Sequence, residues 1–242
     1  MRIIAKIETK TGSVVKGRKL EGIRKLGDPA NFAKKYYEQG VDEIMFIDSV
    51  ASLYGRPTLH DVVKKVSETV FVPLCVGGGI KNLQDTSLMF DSGADKISVN
   101  STLFQDISIL DNISDVYGSQ ATVVEVHAKK TPNGYMCLCE YGREYTGIKL
   151  LDWLKKLRGY RIGELHLVSI DYDGMNQGVD KDLIAISKDH IDVPLIYSGG
   201  FNPDIDDLDW LSNNIQALSI GLSLHQGKVN PSIYSERYQK SD

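Results

Sequence analysis

Two glycine-rich clusters, half a chain apart, are the residues best suited to chemistry. Gly77-Gly78-Gly79 follows the apolar run Val72 to Val76, and Ser198-Gly199-Gly200 follows Leu195 to Tyr197. Each has a companion after the next apolar run, Asn100-Ser101 in the first half and Gly221 in the second. Glycine lets backbone N–H groups approach an oxyanion with no Cβ in the way, and an adjoining helix N-terminus adds partial positive charge. The chemistry this implies is phosphate binding, one site per half, suited to a long ligand with a phosphate at each end. The plainer alternative is that these glycines only make tight turns; their recurrence at a fixed period favours binding.

That period is 121 residues in a chain of 242. Val72 to Gly79 is answered by Val193 to Gly200, Glu43 to Phe46 by Glu164 to Leu167, Asp61-Val62-Val63 by Asp182-Leu183-Ile184, and Ala94 to Ser101 by Ile215 to Leu222. A repeat this long exceeds solenoid periods and reads as a duplicated subdomain that closes on its twin. The positioning elements are eight short apolar runs: Ile3 to Ile7, Ile44 to Ile47, Val72 to Val76, Lys96 to Val99, Thr122 to Val126, Leu165 to Ile170, Leu195 to Tyr197 and Ala217 to Ile220. Helical patterns lie between most of them, for instance Pro29 to Gln39 behind Asp28, Leu59 to Glu68, and Leu150 to Leu157.

Continuous apolar strands are buried on both faces, as parallel sheets require. The expected fold is therefore α/β, a (β/α)₈ TIM barrel spanning 1–242 as one domain, with half-barrels of about 1–120 and 121–242. A doubly wound open sheet is the rival. Duplication favours closure, because two four-strand halves cap each other's edges. In such a barrel the residues just after each strand carry the chemistry, which is where the glycine clusters fall.

With 42% apolar and 25% charged residues the chain can bury one large core. A net charge of -4 gives no field that would draw nucleic acid or an anionic membrane. No apolar stretch approaches a membrane span, so the reading is a soluble, untargeted cytoplasmic protein. Cys75, Cys137 and Cys139 offer neither a disulfide framework nor a metal-ligand spacing, and Cys137-x-Cys139 reads as strand packing. No metal or cofactor is expected.

Across nearly its whole length the sequence resembles the cyclase subunit of imidazole glycerol phosphate synthase. The resemblance rests on Val14-Val15-Lys16-Gly17, Gly27-Asp28-Pro29, Phe46-Ile47-Asp48, Val76 to Ile80, Ala94 to Asn100, Ser169 to Gly174 and Ser198-Gly199-Gly200. It implies a barrel that takes ammonia from a glutaminase docked at its N-terminal face and adds it to a bisphosphorylated formimino-carboxamide ribotide. Substrate-binding positions carried over are Lys16, Asp48, Gly78, Gly79, Asn100, Ser101, Asp171, Asp173, Gly174, Gly199, Gly200, Gly221 and Leu222. The family's acid–base pair is two aspartates ending strands one and five; here those positions hold Glu8 and His127.

Glu8 keeps a carboxyl group, but the extra methylene displaces it by about 1 Å, which matters where near-attack geometry is needed. His127 can move protons near neutral pH but cannot supply the same negative charge. A histidine satisfied in the structure and without a role is the bland alternative. Lys6 and Glu125 lie two residues earlier and point the same way, where the family is usually apolar or small. Either they pair across the interior or the pocket has been rebuilt. At the other end, the family closes its ammonia channel with four charged residues, matched here by Arg2, Glu43, Lys96 and Glu164, and Asp95 matches a glutaminase contact. Such a ring pairs without net charge and leaves a gate for neutral ammonia. Charge at a barrel's bottom commonly means stability instead.

Three functions compete. One is a diverged paralogue that binds a glutaminase and relays ammonia to a separate ATP-dependent amidotransferase for amidination of a surface-polysaccharide sugar; Leu20 to Lys25 and Ala51 to Arg56 look more like such paralogues than like the histidine enzyme. Another is a working synthase with Glu8 and His127 as acid and base. The third is a non-catalytic barrel that only activates its glutaminase. After His225, Pro231 and a weak helical period predict a short or irregular last helix.

Overall fold

The computed structural model describes residues 1–51, 59–232 and 234. In chain order its strands are β1 (Arg2–Lys10), β2 (Ser13–Arg18), β3 (Glu21–Gly27), β4 (Glu43–Asp48), β5 (Leu74–Gly77) and β6 (Lys96–Val99). The second half repeats them as β7 (Thr122–Thr131), β8 (Gly134–Cys139), β9 (Glu144–Lys149), β10 (Glu164–Ser169), β11 (Leu195–Ser198) and β12 (Ala217–Ile220). Eight of these, β1, β4, β5, β6, β7, β10, β11 and β12, pair in parallel and close on themselves. The register advances by eight residues in one circuit, the stagger of a (β/α)₈ barrel.

The helices form where the periodicity places them. Asp28 caps Pro29–Glu38 by accepting from the Asn31 amide, Asn82 caps Leu83–Asp91, and Asp180 caps Lys181–Lys188. Their apolar stripes pack on the outward strand residues in one large core that includes Phe46, Val63, Leu150 and Trp153. A smaller cluster lies inside the barrel, among it Ile4, Met45, Cys75, Val123, Ile196 and Ala217. Among the described residues, no helix is long and apolar enough to cross a membrane. The last barrel helix, Leu222–His225, is short.

Four strands were not expected. After β1 the chain turns back at Thr11-Gly12 into β2 and β3, and after β7 it turns back near Asn133-Gly134 into β8 and β9. The two hairpins obey the 121-residue period. Their tips, Lys19-Leu20 and Glu140-Tyr141, are both pairs with φ between 48° and 62°. Each tip buries its second residue, Leu20 and Tyr141, in the cluster that closes the upper barrel. The hairpins are lids over the mouth.

Candidate functional site

Strand register sorts the inward side chains into levels. At the bottom, Arg2 donates to Glu43 at 2.8 Å and also to Glu164, while Lys96 donates to the same two carboxylates at 2.8 Å each. Each cation touches both anions, so the expected ring is complete and closed. Burial pushes the Glu43 carboxyl up despite Lys96 and Arg2 beside it. Asp95 is exposed beside the ring, and its carboxylate accepts the Leu74 amide at 2.8 Å.

Above the inner apolar layer the interior becomes ionic. The Lys6 ammonium, fully buried, lies 3.2 Å from Glu8 and 4.0 Å from Glu125. Glu125 is met by His127 at 3.0 Å and lies 3.7 Å from His166. Of the two sequence alternatives, the structure shows the pairing: Lys6 and Glu125 face each other across the interior. Burial alone would raise the Glu125 carboxyl, but the His127 contact and the Lys6 ammonium hold it far below the usual carboxylate range. His166 itself is driven down to about 3 by burial, so it is neutral at pH 7. Sequence reading passed over His166, although it follows Glu164 by two in a strand and so shares its inward face.

At the mouth, Lys16 on β2 donates to Glu8 at 2.7 Å and to both Asp173 oxygens at 2.8 and 2.9 Å. Burial would raise Glu8, yet Lys16 and Lys6, with the Tyr141 hydroxyl beside it, hold its carboxyl well below the ordinary range. Asp173 and Glu8 in turn raise Lys16 against its own desolvation. The ring of Tyr141 stands edge-on to His127 with centroids 5.9 Å apart. Glu8 is thus engaged in a buried ion pair, His127 in a buried hydrogen bond to Glu125, and the Tyr141 lid lies against both. Tyr141 is a site residue that the sequence did not disclose, because a tyrosine at positive φ gives no turn signal at the tip that carries it.

The lids are exchanged between halves. The first-half lid lies on the second half, where the Lys19 amide donates to the Asp173 carbonyl at 2.7 Å. A Cβ on Gly174 would fall 2.2 Å from the Gly17 carbonyl oxygen, and its φ of +68° is one that glycine adopts freely. The second-half lid lies on the first half, where the Glu140 amide donates to Ser101 Oγ at 2.9 Å and Arg143 donates to the Ser49 carbonyl at 3.0 Å.

Two cavities result beneath the lids. One is lined by Asp48, Gly78, Gly79, Asn100 and Ser101, with Glu140 and His127; the other by Lys16, Asp173, Gly174, Gly199, Gly200, Gly221 and Leu222. The structure thus gathers the carried-over residues at the rim with one exception. Asp171 lines neither cavity; its carboxylate accepts the Lys130 amide at 2.8 Å and secures the end of β7. The cradles also differ in their charged lining, Lys16 and Asp173 in one against Lys81, Asp48 and Glu140 in the other.

Comparison with known proteins agrees with this geometry. A family described as histidine biosynthesis protein matches residues 2–230. The chain is 38% identical over 201 residues to the imidazole glycerol phosphate synthase subunit HisF of Legionella pneumophila, covering 83% of this chain and 95% of that one. The subunit of the same name from Exiguobacterium sibiricum is 40% identical over 216 residues, 89% of this chain and 85% of its own. That of Natranaerobius thermophilus is 41% identical over 199 residues, 82% and 79% respectively.

Proposed function

Since the chain belongs to the histidine biosynthesis protein family and is similar throughout to cyclase subunits of imidazole glycerol phosphate synthase, we propose that it serves a glutaminase as an ammonia conduit and does not itself cyclise a ribotide. The supporting observation is the double lock at the mouth. A general acid or base works best with a pKa near the operating pH. Glu8 sits well below that, clamped by Lys16 and Lys6, and His127 is tied to Glu125. Pulling Glu8 free breaks a buried ion pair, which costs about 3–5 kcal/mol when one partner is left alone, and pulling His127 free breaks a buried hydrogen bond to Glu125.

The lower end keeps what conduction needs. Neutral ammonia carries no charge to desolvate, and the ring stands between it and the barrel interior. Arg2 is the ring member with the most exposed side chain, at 35%, and is the one free to swing aside for a docked partner. Asp95 offers that partner an exposed carboxylate at the same face. Downstream, the ammonia goes to a separate ATP-dependent amidotransferase that amidinates a surface-polysaccharide sugar. That step rests on the resemblance of Leu20 to Lys25 and Ala51 to Arg56, of which Ser52 to Arg56 lie outside the described residues.

The working-synthase reading keeps one observation in its favour: the second cradle retains Lys16 beside Gly199, Gly200 and Gly221. A single assay separates the two. The chain is purified with its glutaminase, given glutamine, and ribotide turnover is compared with ammonia release. Conduction predicts glutamine-dependent ammonia and little or no ribotide conversion, even in the Glu8→Asp, His127→Asp double variant, because Lys6 and Lys16 still clamp residue 8. Steady conversion by the unaltered chain would overturn the proposal.

A further inference from the structure

The two cradles are separate spaces, and no described residue lines both. The first, of about 140 Å³, lies over β5 and β6 with Gly78, Gly79 and Lys81; the second, of about 20 Å³, lies among Gly199, Gly200, Ser219 and Gly221. Both offer donors to an anion. Gly78 and Gly79, at φ of +102° and +73°, present backbone amides with no Cβ in the way, beside the Lys81 ammonium. The Ser219 hydroxyl, on a residue 2% exposed, lines the second cradle with no partner. What lies between the cradles decides whether one ligand can fill both.

A ligand with a phosphate at each end must cross that ground, and it is filled twice over. One layer is polar. Tyr141, which lines the first cradle, sets its hydroxyl beside Glu8; Glu8 accepts from Lys16 at 2.7 Å; and Lys16, which lines the second cradle, donates to Asp173 at 2.8 Å. These four side chains make a continuous row from one cradle to the other, and no member is more than 7% exposed. The Lys6 ammonium backs the row from the interior, 3.2 Å from Glu8. The other layer is apolar and joins the lids themselves. Leu20 of the first lid and Tyr141 of the second belong to one buried cluster, and a Cβ on Gly142 would fall 2.7 Å from Leu20 Cδ1. Tip meets tip across the mouth.

We propose that the row Tyr141, Glu8, Lys16 and Asp173 partitions the mouth into two chambers that each take their own phosphate monoester, so that no single bisphosphate bridges them. A bridging ligand would have to part Tyr141 from Glu8 and enter a contact in which Lys16 already serves two carboxylates. A monoester enters either chamber with the row intact. The smaller chamber has room for a phosphate group at most, whereas the larger has room for attached carbons as well. The inference rests on the reading that the chain does not cyclise a ribotide and gives that reading a cause: a bisphosphate held at one end is not stretched across Glu8 and His127.

The test counts phosphates released. The full chain in complex with its glutaminase is dialysed to equilibrium against radiolabelled inorganic phosphate, and the formimino-carboxamide ribotide is titrated in without glutamine or ammonium. Two phosphates per chain are expected to bind, above what the glutaminase binds alone, and each ribotide bound should release one. Release of both phosphates by a single ribotide, or fewer than two phosphates bound at saturation, would overturn the proposal. Glycine adopts the φ of +57° at residue 141 freely, so Tyr141→Gly opens the row without straining the tip, and release is expected to double to two per ribotide. Release that stays at one in the folded variant would also overturn the proposal; the count on unaltered protein does not depend on that variant. Turnover of the ribotide is measured apart from this count, so a failed partition and a failed conduit give different results.

Discussion

Lys6 decides what the barrel interior can tolerate. Without its ammonium, Glu8 and Glu125 would sit as neighbouring carboxylates in a dry interior, an arrangement that neutralisation rather than ionisation would resolve. His166 is the counterpart that burial keeps uncharged, at about 3, and His225 is held at about 4 in the same way. Both folded values lie below the ordinary 6.5, so the unfolded chain takes up these protons first. Their stabilising effect is fully present above about pH 6.5 and is lost as pH falls toward 3 and 4. Each contributes a slope of up to about 1.4 kcal/mol per pH unit in that window, whereas the depressed carboxylates of Glu8 and Glu125 add to it only below about 4.5. Urea midpoints measured between pH 6.5 and 5 should therefore decline, and His166→Leu should remove roughly half of the decline. An unchanged slope in that variant would mean that His166 takes up a proton in the native barrel.

The eight barrel strands were legible because their apolar runs are continuous; most ends differ from expectation by at most two residues, as at Val72 against Leu74, but β1 and β7 run on to Lys10 and Thr131, three and five residues past the expected ends, where they enter the hairpins. The lids were not legible, and the reasons are physical. β3 is exposed almost throughout and pairs only with β2, so it shows no alternation that marks a half-buried strand. The tips place Leu20 and Tyr141 at positive φ, where glycine, asparagine or aspartate would normally announce a turn. Asn133-Gly134 between apolar runs was the one readable hairpin signal. The lids hold their strain because they are seated, the first one against Gly174. In Gly174→Ala a methyl would meet the Gly17 carbonyl at 2.2 Å with a strained φ besides, so the first lid must lift. The expected result is a loss of about 1–3 kcal/mol and faster amide hydrogen exchange across residues 13–27, the Lys19 amide above all. Unchanged exchange would show that the lid does not depend on this seat.

At the scale of the molecule, the repeat is built to need its twin. Each lid covers the other half's cradle, and β1 and β7 each complete their pairing with a strand from the other half. The bottom ring is shared unequally: Arg2, Glu43 and Lys96 come from the first half and only Glu164 from the second. Separating the chain between Gly118 and Ser119 would leave two pieces of four barrel strands each, with open edges, which pair with whatever strand is available. Two copies of the first piece would bring four cations and two anions to the ring, a surplus of two positive charges. Two copies of the second would bring only two carboxylates. One of each restores neutrality and both lid seats. The pieces are therefore expected to self-associate when expressed apart and to exchange into one-to-one barrels when mixed, followed by native mass spectrometry. Like-with-like pairs that persist after mixing would show that edge pairing alone, and not the charge ring and the exchanged lids, selects the partner.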